Sequence, residues 1–446
     1  MTFPLHFDFI PYPLWRRRFS TQLSPIATRL TQLISAGRMR LDQPGYIDAV
    51  QMAHYLTQWG LLPRGIDAPG ARRILENLMV NVALAETVAG AYTPPDTFTG
   101  LQIESFDNAA CRNSMGETDA APTNLRLPAQ WEPMEAVIVT FPVLYPPLWA
   151  THAAMIAAIT PVARVDVLIS KPEWAAAIRL ALQDYEIVWQ NVRFLHVATN
   201  DIWVRDYGPI VGIGADGARV AIDAIFDPLD TYPQADDDHM PPLWADASDM
   251  MSRTFDLHIE GGNIWSDGAG TLIMSEEILH RHAPMTRDDI ERGLKQVFAF
   301  DKLILTPFLW REETSHVDLV CKLADARTIL VGAPTPFRNA ERLRATAELF
   351  RRETNAASEP YQVIELPMPA PYLNWLVYPV WRSYTNALTI NGRVLVPVFG
   401  ISQDAEALAI YRHAMPDHDI IPINCAASSN GGGAVHCLTK EIPRGA

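Results

Sequence analysis

The chain has 446 residues, enough for two or three ordinary domains or for one large repeat-built domain with an extension. Its 48% hydrophobic and 20% charged content describes a packed globular protein, and no run reaches the ~18 uninterrupted apolar residues that a membrane span needs. A formal net charge of −15 argues against a nucleic-acid binder, because such proteins present a basic face.

The first eight residues, Met1–Asp8, have no basic stretch leading into an apolar one, so no secretory leader is expected and a cytoplasmic location is the default. Residues 12–36, 43–59 and 69–91 each carry apolar residues at helical spacing. The third is the clearest, with Ile74, Leu78, Val82 and Ala85 on one face and Pro69-Gly70 at its start. Tyr92–Pro128, rich in Thr, Pro, Asn and Asp, reads as a linker or long loop. The division expected is a helical N-terminal extension with linker over 1–120 and the main domain over 121–446. Of the 36 Lys and Arg and 51 Asp and Glu, residues 1–120 hold ten and eleven, so the main domain carries 26 against 40. A concave acidic surface there would favour cationic substrates; an acidic surface kept for solubility is the alternative.

From Trp131 the pattern changes to short apolar strands alternating with helices. Ala136–Phe141 is a strand by its β-branched content, a helix follows over about 150–159, and Val165–Ile169 is a second strand. Further strands are expected at Arg219–Ile225, Thr271–Met274, Thr328–Val331, Val363–Leu366, Ala387–Ile390 and Val394–Val398. Asp267-Gly268-Ala269-Gly270 and Asn391-Gly392 are hairpin turns. Together these suggest several similar α/β units arranged around a centre.

Asn200–Pro209 alternates polar and bulky residues up to a Gly-Pro turn, which would set Asp206 at a strand end with Arg205 on the opposite face. A surface Arg-Asp pair is the plainer alternative. Glu260-Gly261-Gly262-Asn263 is either a tight turn or a loop whose backbone passes close to something else. His316-Val317-Asp318 puts an imidazole and a carboxylate on one face of an extended segment, suited to a general acid/base beside a carboxylate for a cation. Half a metal site is disfavoured, because the chain has no HExxH and no CxxC, and His436 would point away from Cys437 on a strand. Asn386, at the start of an apolar strand, could orient a bound group or cap a turn. Cys321 and Cys425 read as core residues. Cys437 follows Gly431-Gly432-Gly433 at the head of a short apolar segment, read as a buried strand, where a thiol is placed for nucleophilic attack.

Six ordered segments, Arg126–Ala136, Trp203–Pro209, Glu260–Asn263, His316–Asp318, Tyr384–Asn386 and Gly433–Cys437, resemble the agmatine deiminase and bacterial (Porphyromonas-type) peptidylarginine deiminase family over about residues 124–443. The resemblance implies a pentein fold, a five-bladed α/β propeller of ββαβ-type units with the active site in its central channel. It also implies a cofactor-free, metal-free hydrolysis in which a guanidinium becomes a ureido group and ammonia leaves. On that likeness Cys437 is the nucleophile, His316 the general acid/base, Asp206 and Asp318 the guanidinium-binding carboxylates, and Asn386 an aid near the thiol. Trp203 offers a ring to the substrate's aliphatic stem or guanidinium face, and Glu312, four residues before His316, fits the family pattern as a substrate contact.

Two departures bear on the substrate. The segment Phe226–Pro233, where the bacterial peptidylarginine enzymes hold a C-terminal carboxylate with arginines, has none, and Asp236-Asp237-Asp238-His239 follows. Ser315 stands where agmatine deiminases tend to carry glycine. Other segments, 384–400 and 407–421, lean to the peptidylarginine branch. The expectation is a deiminase of arginine side chains in peptides or proteins, with agmatine the close alternative and amidino transfer to an amine a more distant one. The partner expected is thus a cationic guanidino substrate, with no nucleic acid and no membrane, and with oligomerisation open.

Overall fold

The computed structural model describes residues 103–105 and 123–445, apart from 143–147, parts of 170–183, 200, 227–234, 335–338 and 375–377. The three segments expected to be N-terminal helices, most of the expected linker, Cys111 and most of Phe226–Pro233 lie outside the described residues.

One pattern recurs five times. A short inner strand pairs antiparallel with a middle strand, a helix crosses over, and an outer strand returns parallel to the middle one. In the first unit the middle strand is Met134–Thr140, the helix Trp149–Ile159 and the outer strand Arg164–Ile169. The second runs Ile210–Ile213, Arg219–Ile225, helix Met240–Ala247, Met251–His258. The third runs Trp265–Ser266, Thr271–Ser275, helices Glu277–Arg281 and Arg287–Leu294, Lys302–Thr306. The fourth runs Cys321–Leu323, Thr328–Gly332, helix Ala340–Arg352, Gln362–Leu366. The fifth runs Leu388–Ile390, Arg393–Val398, helix Asp404–Ala414, Asp419–Asn424. The first unit's inner strand is the last of the chain, Lys440–Pro443, which pairs antiparallel with Met134–Thr140 and so stitches the end of the domain to its beginning.

Middle strands are covered on both faces, so they read as continuous apolar runs: Val137, Ile138 and Val139, then Ile273 and Met274, then Leu330 and Val331, and Leu395 and Val396 are all fully buried. This is why the expected strands over 136–141, 219–225, 271–274, 328–331 and 394–398 match observed ones. The inner strand Leu388–Ile390 and the outer strands Arg164–Ile169 and Gln362–Leu366 also match expected ones, whereas the inner strands Ile210–Ile213, Trp265–Ser266 and Cys321–Leu323 are too short to show a period, and the partly exposed outer strand Met251–His258 shows no apolar run. Both hairpins form. Asn391 and Gly392 take φ of 42° and 81°, the left-handed pair a two-residue hairpin requires. The Asn391 amide also bonds Met134 N and O and Val162 O, tying the fifth unit to the first. Among the described residues no helix is long and apolar enough to cross a membrane.

Candidate active site

Each unit hands one short turn to the centre, immediately before its inner strand. The turns are Val204–Tyr207, Gly261–Asn263 and Val317–Leu319, with further turns at Ser383–Asn386 and Val435–Leu438. They carry Asp206, Asn263, Asp318, Asn386 and Cys437, with Glu260 and His316 just ahead of two of them. Three expectations of extended backbone are therefore corrected. Asp206 lies in one helical turn, Asp318 in a 3-10 turn after an extended His316, and Cys437 in a turn closed by Leu438 N to Ala434 O at 3.1 Å. Turns of three or four residues have no period to read. Arg205 and Asp206 do diverge: Arg205 runs beneath the site to pair both guanidinium nitrogens with Glu441 and donate from Nε to His436 O at 3.2 Å.

The glycine run serves close approach. A Cβ on Gly433 would lie 2.5 Å from the Trp203 ring and 2.8 Å from Cys437 Cβ, and Gly432 has φ 99°. Asn386 then fixes the thiol's surroundings. Its Oδ1 accepts from Ala434 N and Cys437 N at 3.1 and 3.2 Å, and its Nδ2 faces Cys437 Sγ and Asp318 Oδ2, each at 3.0 Å. Cys437 Sγ is 3.8 Å from Asp318 Oδ2.

On the other side His316 Nε2 meets Glu260 Oε2 at 2.6 Å, and its Nδ1 lies 3.4 Å from Asp206 Oδ1. Gly262 is needed here, since a Cβ would sit 2.5 Å from His316 Nδ1 and 2.6 Å from Asp206 Oδ1. Burial alone would lower the His316 pKa, but Asp206 and Glu260 outweigh it and hold it well above the usual value, as an imidazolium. Glu260 was read from sequence only as part of a tight turn or a close-approach loop, with no role of its own. It is instead His316's partner, and against burial first His316 and then Arg281 at 2.8 Å, braced in turn by Glu277 at 2.7 Å, keep its pKa below the usual one.

Cys437 is 6% exposed, Asp206 8%, His316 2% and Asp318 0%, so the group is nearly closed to water. Burial, then Asp318 and Asp206, push the Cys437 thiol well above its usual pKa and so favour the protonated sulfur. Asp318 Oδ1 is buried without a hydrogen-bond partner, and Asp206 Oδ1 and His316 Nδ1, buried likewise, face each other at 3.4 Å without a formed hydrogen bond. Two unsatisfied carboxylate oxygens in a dry site ask for a cation with N–H donors, and a planar guanidinium fits. Burial first, with Asp206 and Glu312 adding, raises Asp318 to about 7. Cation binding needs the anion, so activity is expected to fall as pH drops through about 7, measured as the acid limb of kcat/KM.

Trp203 is half-buried against Gly433. Glu312 spends Oε2 on Thr314 N, Thr314 Oγ1 and Ser315 N, and burial raises its pKa. Ser315 has φ 59°, a left-handed conformation that glycine adopts at no steric cost. The acidic run expected to suit a cationic substrate is partly committed elsewhere: Asp237 accepts from Asp201 N, and Asp238 from Phe226 N. Cys321 and Cys425 are buried, and burial raises the Cys425 thiol to about 12. His436 does not point away. Its Nδ1 lies 2.7 Å from Asp318 Oδ2 behind the site. Among the described residues no three His, Cys, Asp or Glu side chains are grouped to hold a metal ion.

Residues 126–443 match the family described as Porphyromonas-type peptidyl-arginine deiminase. The chain is 30% identical over 358 residues to agmatine deiminase of Stutzerimonas stutzeri (strain A1501), covering 71% of this chain and 95% of that protein. It is 29% identical over 357 residues to agmatine deiminase of Pseudomonas aeruginosa (strain UCBPP-PA14), with the same coverage of 71% and 95%. Agmatine deiminase of Enterococcus faecalis superposes with a TM-score of 0.65 at 22% identity, over 74% of this chain and 100% of that one. That likeness carries the fold: the five units are the blades of a pentein α/β propeller.

Proposed function

Because this chain belongs to the Porphyromonas-type peptidyl-arginine deiminase family, and so is a hydrolase of guanidino C–N bonds, we propose that its substrate is agmatine and that Cys437 is its nucleophile. The observation that carries the substrate is the likeness to agmatine deiminases over 95% of their length. This favours the smaller of the two substrates expected from sequence over an arginine side chain in a peptide. The nearly closed site supports the same choice, as does a chain carrying 26 Lys and Arg against 40 Asp and Glu beyond residue 120, which suits a dication.

The guanidinium lies between Asp206 and Asp318, whose free oxygens accept its N–H groups. Its positive charge offsets the two carboxylates that raise the Cys437 pKa, so binding favours loss of the thiol proton to solvent. The thiolate attacks the guanidinium carbon and forms a C–S bond. His316 Nδ1, the ring nitrogen that Glu260 leaves open, gives its proton to one NH2 group, and the C–N bond breaks to release ammonia. The thiouronium that remains is attacked by water, which gives a proton to the now neutral His316. The C–S bond then breaks, and the ureido product leaves with loss of one proton. Asp206 and Asp318 hold charge at the carbon throughout.

The test is ammonia release from agmatine with no amine present as acceptor, beside a peptide with an internal arginine. One ammonia and one N-carbamoylputrescine per agmatine are expected. Product only when an amine is added would instead mean amidino transfer.

A further inference from the structure

We propose that His436 is a positioning residue for this reaction: held from behind by Gln130 and Lys322, it engages one oxygen of Asp318 and so turns the other toward the guanidinium. The inference rests on the deiminase reading above and names a part of its machinery that lies outside substrate contact.

The row can be followed atom by atom. Gln130 Oε1 accepts from Lys322 Nζ and from Thr389 N, both at 3.1 Å. Its amide nitrogen must therefore face His436 Nε2, 2.8 Å away, which accepts. That leaves the hydrogen of His436 on Nδ1, from which it donates to Asp318 Oδ2 at 2.7 Å. Asn386 Nδ2 donates to the same oxygen, and Asp318 Oδ1 stays unpartnered toward the site. Trp265 supports the row, its ring stacked on His436 at 4.6 Å with Lys322 Nζ 4.7 Å from its centre. Lys322, His436 and Asp318 are each 0% exposed and Gln130 5%. In so dry a place a chain of hydrogen bonds polarises along its length, most of all when Lys322, whose pKa burial lowers to about 7, carries its proton.

The chemistry of the surroundings keeps His436 neutral, as a single donor must be. Burial first, then Arg205, Lys322, Lys440 and His316, lower its pKa well below the usual value. The charged groups facing the row are thus Arg205, Lys440 and Glu441 from beneath and His316, Asp206 and Glu312 from the site. A filler role for the ring would need only the stack on Trp265. It would not need a fixed tautomer, nor an amide whose three partners are all satisfied.

Two variants separate these roles. His436→Phe keeps a ring against Trp265 and removes both hydrogen bonds, whereas His436→Asn loses the ring but puts an amide N–H where Nδ1–H was. For His436→Phe, KM for agmatine is expected to rise ~10-fold and the acid limb of kcat/KM to move up by about one pH unit, with kcat changed less. His436→Asn should return the acid limb to near the wild-type position although its thermal unfolding temperature is the lower of the two. Gln130→Leu, at the far end, should move KM and the acid limb in the same direction by a smaller amount, and it serves if the Phe variant does not fold. Wild-type KM and acid limb in His436→Phe, or in Gln130→Leu where the Phe variant does not fold, would overturn the positioning role alone. So would an Asn variant as displaced as the Phe variant. A wild-type protein inactive on every guanidine would remove the deiminase reading and the inference with it.

Discussion

Cys437→Ala is expected to lower ammonia release from agmatine by at least ~10⁴-fold while the protein still binds the guanidine. No neighbouring group can take over. Cys321 and Cys425 are buried in the apolar core, and burial raises both thiols. His316, which could offer a ring nitrogen as nucleophile, is held as an imidazolium by Asp206 and Glu260. Binding should survive because Asp206 Oδ1 and Asp318 Oδ1, the acceptors for the cation, are untouched. The check is a steady-state ammonia assay together with an agmatine-induced rise in unfolding temperature. Loss of turnover with the rise retained is the expected pair, and turnover within tenfold of wild type would remove Cys437 from the mechanism.

Asp318→Asn is expected to lower kcat/KM by ~10³-fold, from both binding and chemistry. Asp318 Oδ2 receives hydrogens from His436 Nδ1 and Asn386 Nδ2 while Oδ1 faces the substrate. An amide cannot serve both sides. Turned one way, its NH2 meets two donors; turned the other, it meets the guanidinium. The same substitution should speed alkylation of Cys437 in the free enzyme near pH 8, since Asp318 is one of the carboxylates that raise the thiol's pKa. Turnover down and alkylation up are opposite signs that a misfolded site would not give. Slower alkylation, or turnover near wild type, would contradict the role given to Asp318.

What was legible in the sequence divides along physical lines. Middle strands, buried on both faces, show as apolar runs, and several similar units could be inferred from them, the number five coming from the family resemblance. Cys437, His316, Asp206, Asp318 and Asn386 stood out because they lie near glycine or proline or at a marked polar-to-apolar change. The turns that carry them did not, and extended backbone was expected instead. Partners from distant segments were illegible altogether. Gln130 and His436 are 306 residues apart, and nothing local in either marks the other. Glu260 reads as a turn residue until His316, 56 residues on, is brought to 2.6 Å. Ser315 shows the reverse case: the sequence marks a departure from glycine, and its φ of 59° explains why glycine is at ease there.

The measurement that bears most directly on the whole is kcat/KM for ammonia release from agmatine, without an amine acceptor, beside free arginine and a peptide with an internal arginine. Agmatine is expected to exceed the peptide by at least ~10²-fold and to yield the ureido product in equal amount with ammonia. A peptide turned over faster than agmatine would contradict the substrate, and no ammonia from any of the three would contradict guanidine hydrolysis at Cys437.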